Sequence, residues 1–166
     1  MQKVLATGAT GFIGIEVSRY LAEREMGPRL MVRRPVRGLM LRDLEAEIMQ
    51  ADIRNPDSLR RILIGIDSVV HLGARAAFEP YPQLYPSIVK GSINLMQAAI
   101  EAGVKNFVCG GSLLVYGDSA TFIDQDTEHL FVTSATILYL YCQIKCQLPS
   151  FPFAVVVRIT PCLLYT

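Results

Sequence analysis

At 166 residues the chain has the length for one domain with a real core and no room for a second, and its 16 basic and 15 acidic side chains leave a net charge of +1. No block of like charge marks a nucleic-acid or anionic-membrane surface, so small molecules are the expected partners. Cys109, Cys142, Cys146 and Cys162 form no CxxC pair and only His71 and His129 could join them, so they read as reduced core thiols of a cytoplasmic protein, with no metal site.

The first residues hold one lysine and then a strand-like run broken by Gly8, without the apolar stretch of a secretion signal. Residues 3–6 read as the first strand. TGATGFIG, residues 7–14, then places Gly8, Gly11 and Gly14 at every third position. Three glycines so close weaken any regular element and need a reason. A strand that ends in a bare turn and opens a helix supplies one, because a phosphate can then reach the main-chain N–H groups and the positive end of that helix. The alternative is tight packing of helix on strand without a ligand.

Residues 12–24 form an amphipathic pattern with Ile13, Val17, Tyr20 and Leu21 on the buried side, ended by Gly27-Pro28. Residues 29–33 read as a second strand, leading into Arg33-Arg34-Pro35. Those guanidinium groups suit bidentate contact with a phosphate, or form a solvated basic turn. Residues 47–52 read as a third strand ending in Asp52, and Asn55-Pro56 opens a helix with proline in its first turn. Residues 68–72 form a buried fourth strand. His71, at its end, is expected to be satisfied by backbone, and Gly73 and Ala74 are small enough to let a ligand lie against the main chain.

Residues 79–86 hold three prolines and read as a loop, and residues 85–102 form the longest helical pattern, capped by Gly103. Residues 106–109 and 153–159 complete a series of six strands. In the tail after Glu128 the longest uncharged run, residues 130–144, is shorter than the roughly 20 residues of a spanning helix, so no membrane segment is expected. Tyr141 and Lys145 are four residues apart, which on a helix would bring an ammonium near a phenol and favour the phenolate, although the same spacing arises by chance in an apolar segment such as this one. The alternation of strands and helices predicts a single α/β domain over residues 1–166, a parallel sheet with helices on both faces, without repeat or linker.

Seven stretches fall into one order: TGATGFIG at 7–14, ADIRNPDSL at 51–59, HLGA at 71–74, GSINLMQAAIEAGVKNFV at 91–108, SLLVYGD at 112–118, YCQIK at 141–145 and VVVRITP at 155–161. Together they resemble the extended short-chain dehydrogenase/reductase family, the NAD(P)-dependent epimerase/dehydratase group, over almost the whole chain. The resemblance implies a Rossmann-type doubly wound sheet and hydride transfer between a nicotinamide cofactor and a hydroxyl or ketone substrate, such as a nucleotide sugar.

Carried over by position, it implies cofactor contacts from Gly8, Thr10, Gly11, Phe12, Ile13 and Gly14, from Arg33 and Arg34, and from Leu72, Gly73 and Ala74. Asp52 would meet the adenine amino group with Ile53 packing nearby, against the plainer reading of Asp52 as the cap of the next turn. Ser112, Tyr141 and Lys145 would be catalytic. Tyr141 takes the substrate proton as phenolate, Lys145 lowers the phenol pKa and holds the nicotinamide ribose, and Ser112 bonds the reacting oxygen. Tyr116 would pack near the nicotinamide. Arginine where NAD-specific relatives carry an acid favours NADP(H), with NAD(H) left open. Relatives also dimerise through the long helix and the Tyr-Lys helix, which makes a homodimer an expectation here.

The pattern departs from the family at three places. Ile88 stands where many relatives have asparagine. Pro149 and Pro152 stop the helix after Lys145 near Leu148. The sequence closes at Thr166, before the family's remaining strands and C-terminal substrate lobe, so the domain is expected to be incomplete. The alternative function is therefore a dinucleotide-binding module without turnover, or a remnant that needs a partner chain.

Overall fold

The computed structural model describes residues 2–74 and 81–110, the side chain of Tyr81 excepted. Strand β1 (Val4–Thr7) leads through the glycine turn into α1 (Phe12–Glu23), then β2 (Pro28–Val32), a one-turn α2 (Pro35–Gly38) and a 3₁₀ turn (Leu39–Leu41). After these come β3 (Glu47–Gln50), α3 (Pro56–Ile62), β4 (Ser68–His71), α4 (Tyr81–Glu101) and β5 (Asn106–Cys109). The expected sixth strand at 153–159 lies outside the described residues.

All five strands are parallel, in the order β3-β2-β1-β4-β5. The chain winds outward one way from β1 and then the other way from β4, so the order reverses between these two strands. In such a sheet the connections diverge above the carboxyl ends of the strands flanking the reversal, and a crevice opens there. Val4 pairs with both Pro28 and Ser68, which fixes β1 as the central strand.

The inner strands β1, β2 and β4 bury both faces, which is why they read as unbroken apolar runs. Alternate residues divide the core into two layers. Leu5, Met31 and Val69 join Leu59, Ile62, Leu95, Met96 and Phe107 on the α3/α4 side, while Val4, Ala6, Leu30 and Val32 pack with Leu21 and Leu41 on the α1 side. Arg29 is a buried exception. Its guanidinium donates to the carbonyls of Ile62 and Ile64 at 2.8 and 2.7 Å and to Glu47 at 2.8 Å, tying β2 and β3 to the end of α3. β3 is the sheet margin, and its Glu47, Ile48 and Gln50 are exposed.

Two helix expectations need correction. In α1 the buried line is Gly14, Ser18 and Leu21, whereas Ile13 and Tyr20 are exposed. The first half of α1 approaches the sheet so closely that small residues face it, and Ser18 returns its hydroxyl to the Gly14 carbonyl at 2.7 Å. Tyr20 lies outside, under the Arg24 guanidinium. The expected loop at 79–86 is helical from Tyr81 onward, with Pro86 inside α4. Pro82 and Pro86 are four residues apart on its exposed face, so the rings point away from the core and the helical pattern continues beneath them. The helix starts at Asn55-Pro56 as expected, and Asn55 caps it, its side chain accepting from the N–H groups of Asp57 and Ser58.

Candidate functional site

The site grows from the turn between β1 and α1. Gly8 sits at φ +71°, and a Cβ there would come within 2.7 to 2.8 Å of the main chain of Leu72 and Gly73. A Cβ on Gly14 would overlap the Gly8 carbonyl. Glycine at these two places lets three stretches of backbone meet with nothing between them. Gly11 is the N-cap of α1 and makes no side-chain cap bond, and no acidic residue lies in the first turn, so among the described residues the positive end of α1 has no side-chain cap. Phe12, 77% exposed, and Ile13 stand on the outer side of this turn, and Thr10 is half-buried within it.

The strip Leu72-Gly73-Ala74 runs beside the turn. The Leu72 N–H donates to the Thr7 carbonyl at 3.3 Å, and the Gly73 N–H donates to the Thr7 hydroxyl at 3.2 Å. The fold thus brings Gly8, Gly11, Gly14, Leu72 and Gly73 to one place at the carboxyl edge between β1 and β4. Backbone bared by two glycines against an uncapped helix end fits a pyrophosphate, which needs N–H donors and no intervening side chain.

His71 is held differently from its expectation. Its partners are side chains: Nδ1 lies 2.7 Å from the Thr7 hydroxyl and Nε2 lies 3.0 Å from the Ser92 hydroxyl, all three residues being buried. Burial pushes its pKa down to about 4, so the ring is neutral at physiological pH. The backbone was the expected partner because a strand end offers free carbonyls. Here the next turn of chain and β5 use them, as the Gly110 N–H bonded to the His71 carbonyl at 2.9 Å shows.

A second region lies past β2 and β3, where Arg33, Gln50, Ala51, Asp52, Asn55, Ser58 and Arg61 line a cleft of about 430 Å³. Arg54 grips Asp52 through its side chain at 2.6 to 3.2 Å and through its N–H at 2.9 Å. That hydrogen bonding holds the Asp52 carboxyl below its ordinary pKa, against the opposing effect of burial. Arg34 is exposed at the N-cap of α2 and is not among the lining residues. Ile53 is not among them either: its side chain packs against the α3/α4 core and its carbonyl accepts from Asn94. Arg61 was missed by sequence reading. The signal was its place three residues after Ser58 on α3, which puts both on one helix face.

Ser112, Tyr116, Tyr141 and Lys145 lie outside the described residues, as do Cys142, Cys146, Cys162, His129, Pro149 and Pro152. Among the described residues no group of His, Cys, Asp or Glu is placed to hold a metal ion, and no helix is long and apolar enough to cross a membrane. Cys109 carries a thiol whose pKa burial pushes up to about 11.

Comparison with known proteins agrees with this geometry. The family model described as the NAD dependent epimerase/dehydratase family matches residues 4–142. A UDP-glucose 4-epimerase from Klebsiella pneumoniae is 33% identical over 131 residues, covering 70% of this chain and 93% of that sequence. Cinnamoyl-CoA reductase 1 from Petunia hybrida is 33% identical over 125 residues, 70% of this chain but 37% of the reductase. Among solved structures, gox2253 superimposes with a TM-score of 0.78 at 27% identity, covering 93% of this chain and 50% of its own. MoeE5, solved in complex with UDP-glucose and NAD, gives a TM-score of 0.75 at 24% identity, a likeness of fold, over 92% of this chain and 52% of its own. The chain spans about half the length of these structures.

Proposed function

This chain belongs to the NAD-dependent epimerase/dehydratase family, and on that premise we propose that it binds a nicotinamide dinucleotide along the carboxyl edge of its sheet for hydride transfer. The pyrophosphate would lie over Gly8, Gly11 and Gly14 against Leu72, Gly73 and Ala74, with Phe12 and Ile13 beside it. The adenosine end would reach toward Arg33 and Asp52. The single observation that carries the reading is the backbone contact of Gly8 with Leu72 and Gly73 beside the uncapped end of α1.

We favour NADP(H) over NAD(H), because Arg33 and Arg61 line the cleft and an arginine fork matches a 2′-phosphate. The cofactor supplies hydride exchange at its nicotinamide ring when bound. Tyr141 then takes the proton of a substrate hydroxyl, Lys145 favours the phenolate and holds the ribose, and Ser112 hydrogen-bonds the reacting oxygen. A nucleotide sugar is the proposed substrate class, supported by the UDP-glucose 4-epimerase among the relatives. A cytoplasmic location and a homodimer through α4 belong to the same proposal.

Calorimetric titration with NADPH and with NADH tests it. The expected result is binding of both with NADPH the tighter, and no heat from either at millimolar concentration would overturn the reading. Binding without turnover of any nucleotide sugar or ketone, unchanged by Tyr141→Phe, would favour the non-catalytic module.

A further inference from the structure

Thr7, His71 and Ser92 form a hydrogen-bond chain whose direction can be worked out link by link. The Ser92 hydroxyl has one proton, and it donates to the Ile88 carbonyl one helical turn back, at 2.5 Å. Toward His71 Nε2, 3.0 Å away, Ser92 can therefore only accept, so Nε2 carries the ring proton of the neutral imidazole. Nδ1 is then a bare acceptor, and the Thr7 hydroxyl donates to it across 2.7 Å. With its proton committed, the Thr7 oxygen accepts from the Gly73 N–H at 3.2 Å. Each link is consistent with the next in one direction only. The opposite tautomer would leave Nε2 facing a hydroxyl whose proton is already used.

The fold builds this chain from three elements. Thr7 and His71 are register partners on adjacent strands β1 and β4, which puts their side chains together, and α4 delivers Ser92 from above. All three are buried, at 1%, 4% and 4% exposure, so no water competes for the links and each bond polarises its neighbour. The chain ends at the Gly73 amide, beside the main chain that Gly8 must approach.

We infer that His71 is a positioning residue: locked by Ser92 as the Nε2–H tautomer, it commits the Thr7 hydroxyl to the Gly73 amide and so sets the backbone against which the dinucleotide lies. The functional half of this inference rests on the dinucleotide reading above. Ser92, on the far side of the imidazole from Thr7, thereby acts on cofactor affinity through two intervening side chains.

The test uses the full ¹⁵N-labelled chain. Long-range proton–nitrogen spectra, with His71 assigned by its loss in His71→Gln, are expected to show a protonated Nε2 and a bare Nδ1, and Ser92→Ala shifts that tautomer balance. Thr7→Val raises Gly73 amide exchange and weakens NADPH about tenfold, the scale of one lost aligning hydrogen bond, and Thr7→Ser restores both. Ser92→Ala weakens NADPH more than Val104→Ala, a core truncation on the same side of the sheet whose effect a purely structural role would match. A wild-type His71 protonated on Nδ1, or Gly73 exchange indifferent to Thr7→Val, overturns the inference while NADPH binding stands. Should Ser92→Ala not fold, the wild-type tautomer and the Thr7→Val/Thr7→Ser pair decide. Wild-type protein that shows the tautomer but binds neither NADPH nor NADH instead removes the dinucleotide reading, and the positioning role with it.

Discussion

The glycine turn and the Arg33–Asp52 cleft lie on the same sheet edge and are made of different materials. At the turn, main chain meets main chain: Gly8 against Leu72 and Gly73, Gly14 against Gly8. At the cleft, side chains do the lining, and Asp52 is already engaged by Arg54. Backbone offers the same N–H groups whatever the sequence, so under the proposed function the turn would recognise a chemical class, a pyrophosphate. Side chains can be exchanged, so under the same proposal the cleft would be where one cofactor is told from another. The two regions should therefore respond oppositely to substitution, the first to added bulk and the second to lost charge.

The hardest test of that contrast is Gly14→Ala. One methyl group there lands on the Gly8 carbonyl, which cannot rotate away. NADPH binding is expected to fall by at least about a hundredfold and stability by about 3 kcal/mol, read by calorimetry and urea unfolding. Acid probes the buried histidine of the same region. The His71 pKa is lowered from 6.5 to about 4 by burial, so between these values the unfolded chain binds the proton that the folded chain refuses. The stability His71 contributes is whole above pH 6.5 and is lost as pH falls through 4, a total of about 3 kcal/mol. Urea midpoints measured from pH 7 to pH 4 should slope downward, and His71→Gln should flatten that part of the curve.

On the cleft side the expected effects are smaller. Arg29→Met, at the opposite end of β2 from the cleft, leaves the Ile62 and Ile64 carbonyls without their donor and should cost about 2 kcal/mol in denaturant unfolding. Arg33→Ala touches an exposed side chain that lines the cleft, so stability should stay within about 0.5 kcal/mol. NADPH affinity should drop about tenfold with NADH affinity unchanged. Equal loss of both cofactors would erase the division of labour between the two regions.

How far the sequence revealed this site follows the same division. Features that depend on one residue's own backbone chemistry were legible: the glycines of the turn, the helix start at Asn55-Pro56, the apolar strands, the end of α4 at Gly103. Features that depend on which face meets which neighbour were not. Ile13 and Tyr20 matched an apolar stripe, but close approach of α1 selects small Gly14 and Ser18 for the inner face. Three prolines suggested a loop, yet the spacing of Pro82 and Pro86 keeps both on the outside of a helix. The partners of His71 are 64 and 21 residues away in the chain, and no local pattern announces them. Arg61 joins the cleft only because α3 folds back over the end of β3.

The uneven ends of the sheet have a practical consequence. β3 closes one flank with a row of main-chain groups that no other strand occupies among the described residues, and Ile48 on it is 37% exposed. Earlier in the chain, around Gly38, which lies against Ile48, Val36, Leu39 and Met40 are 77%, 62% and 57% exposed, while the negative charge of Glu47 is drawn inward to Arg29. A bare flank bordered by oily side chains is a template on which strands from other molecules can add. At high concentration this margin is where strand-on-strand association is expected, read as light scattering that rises with protein concentration.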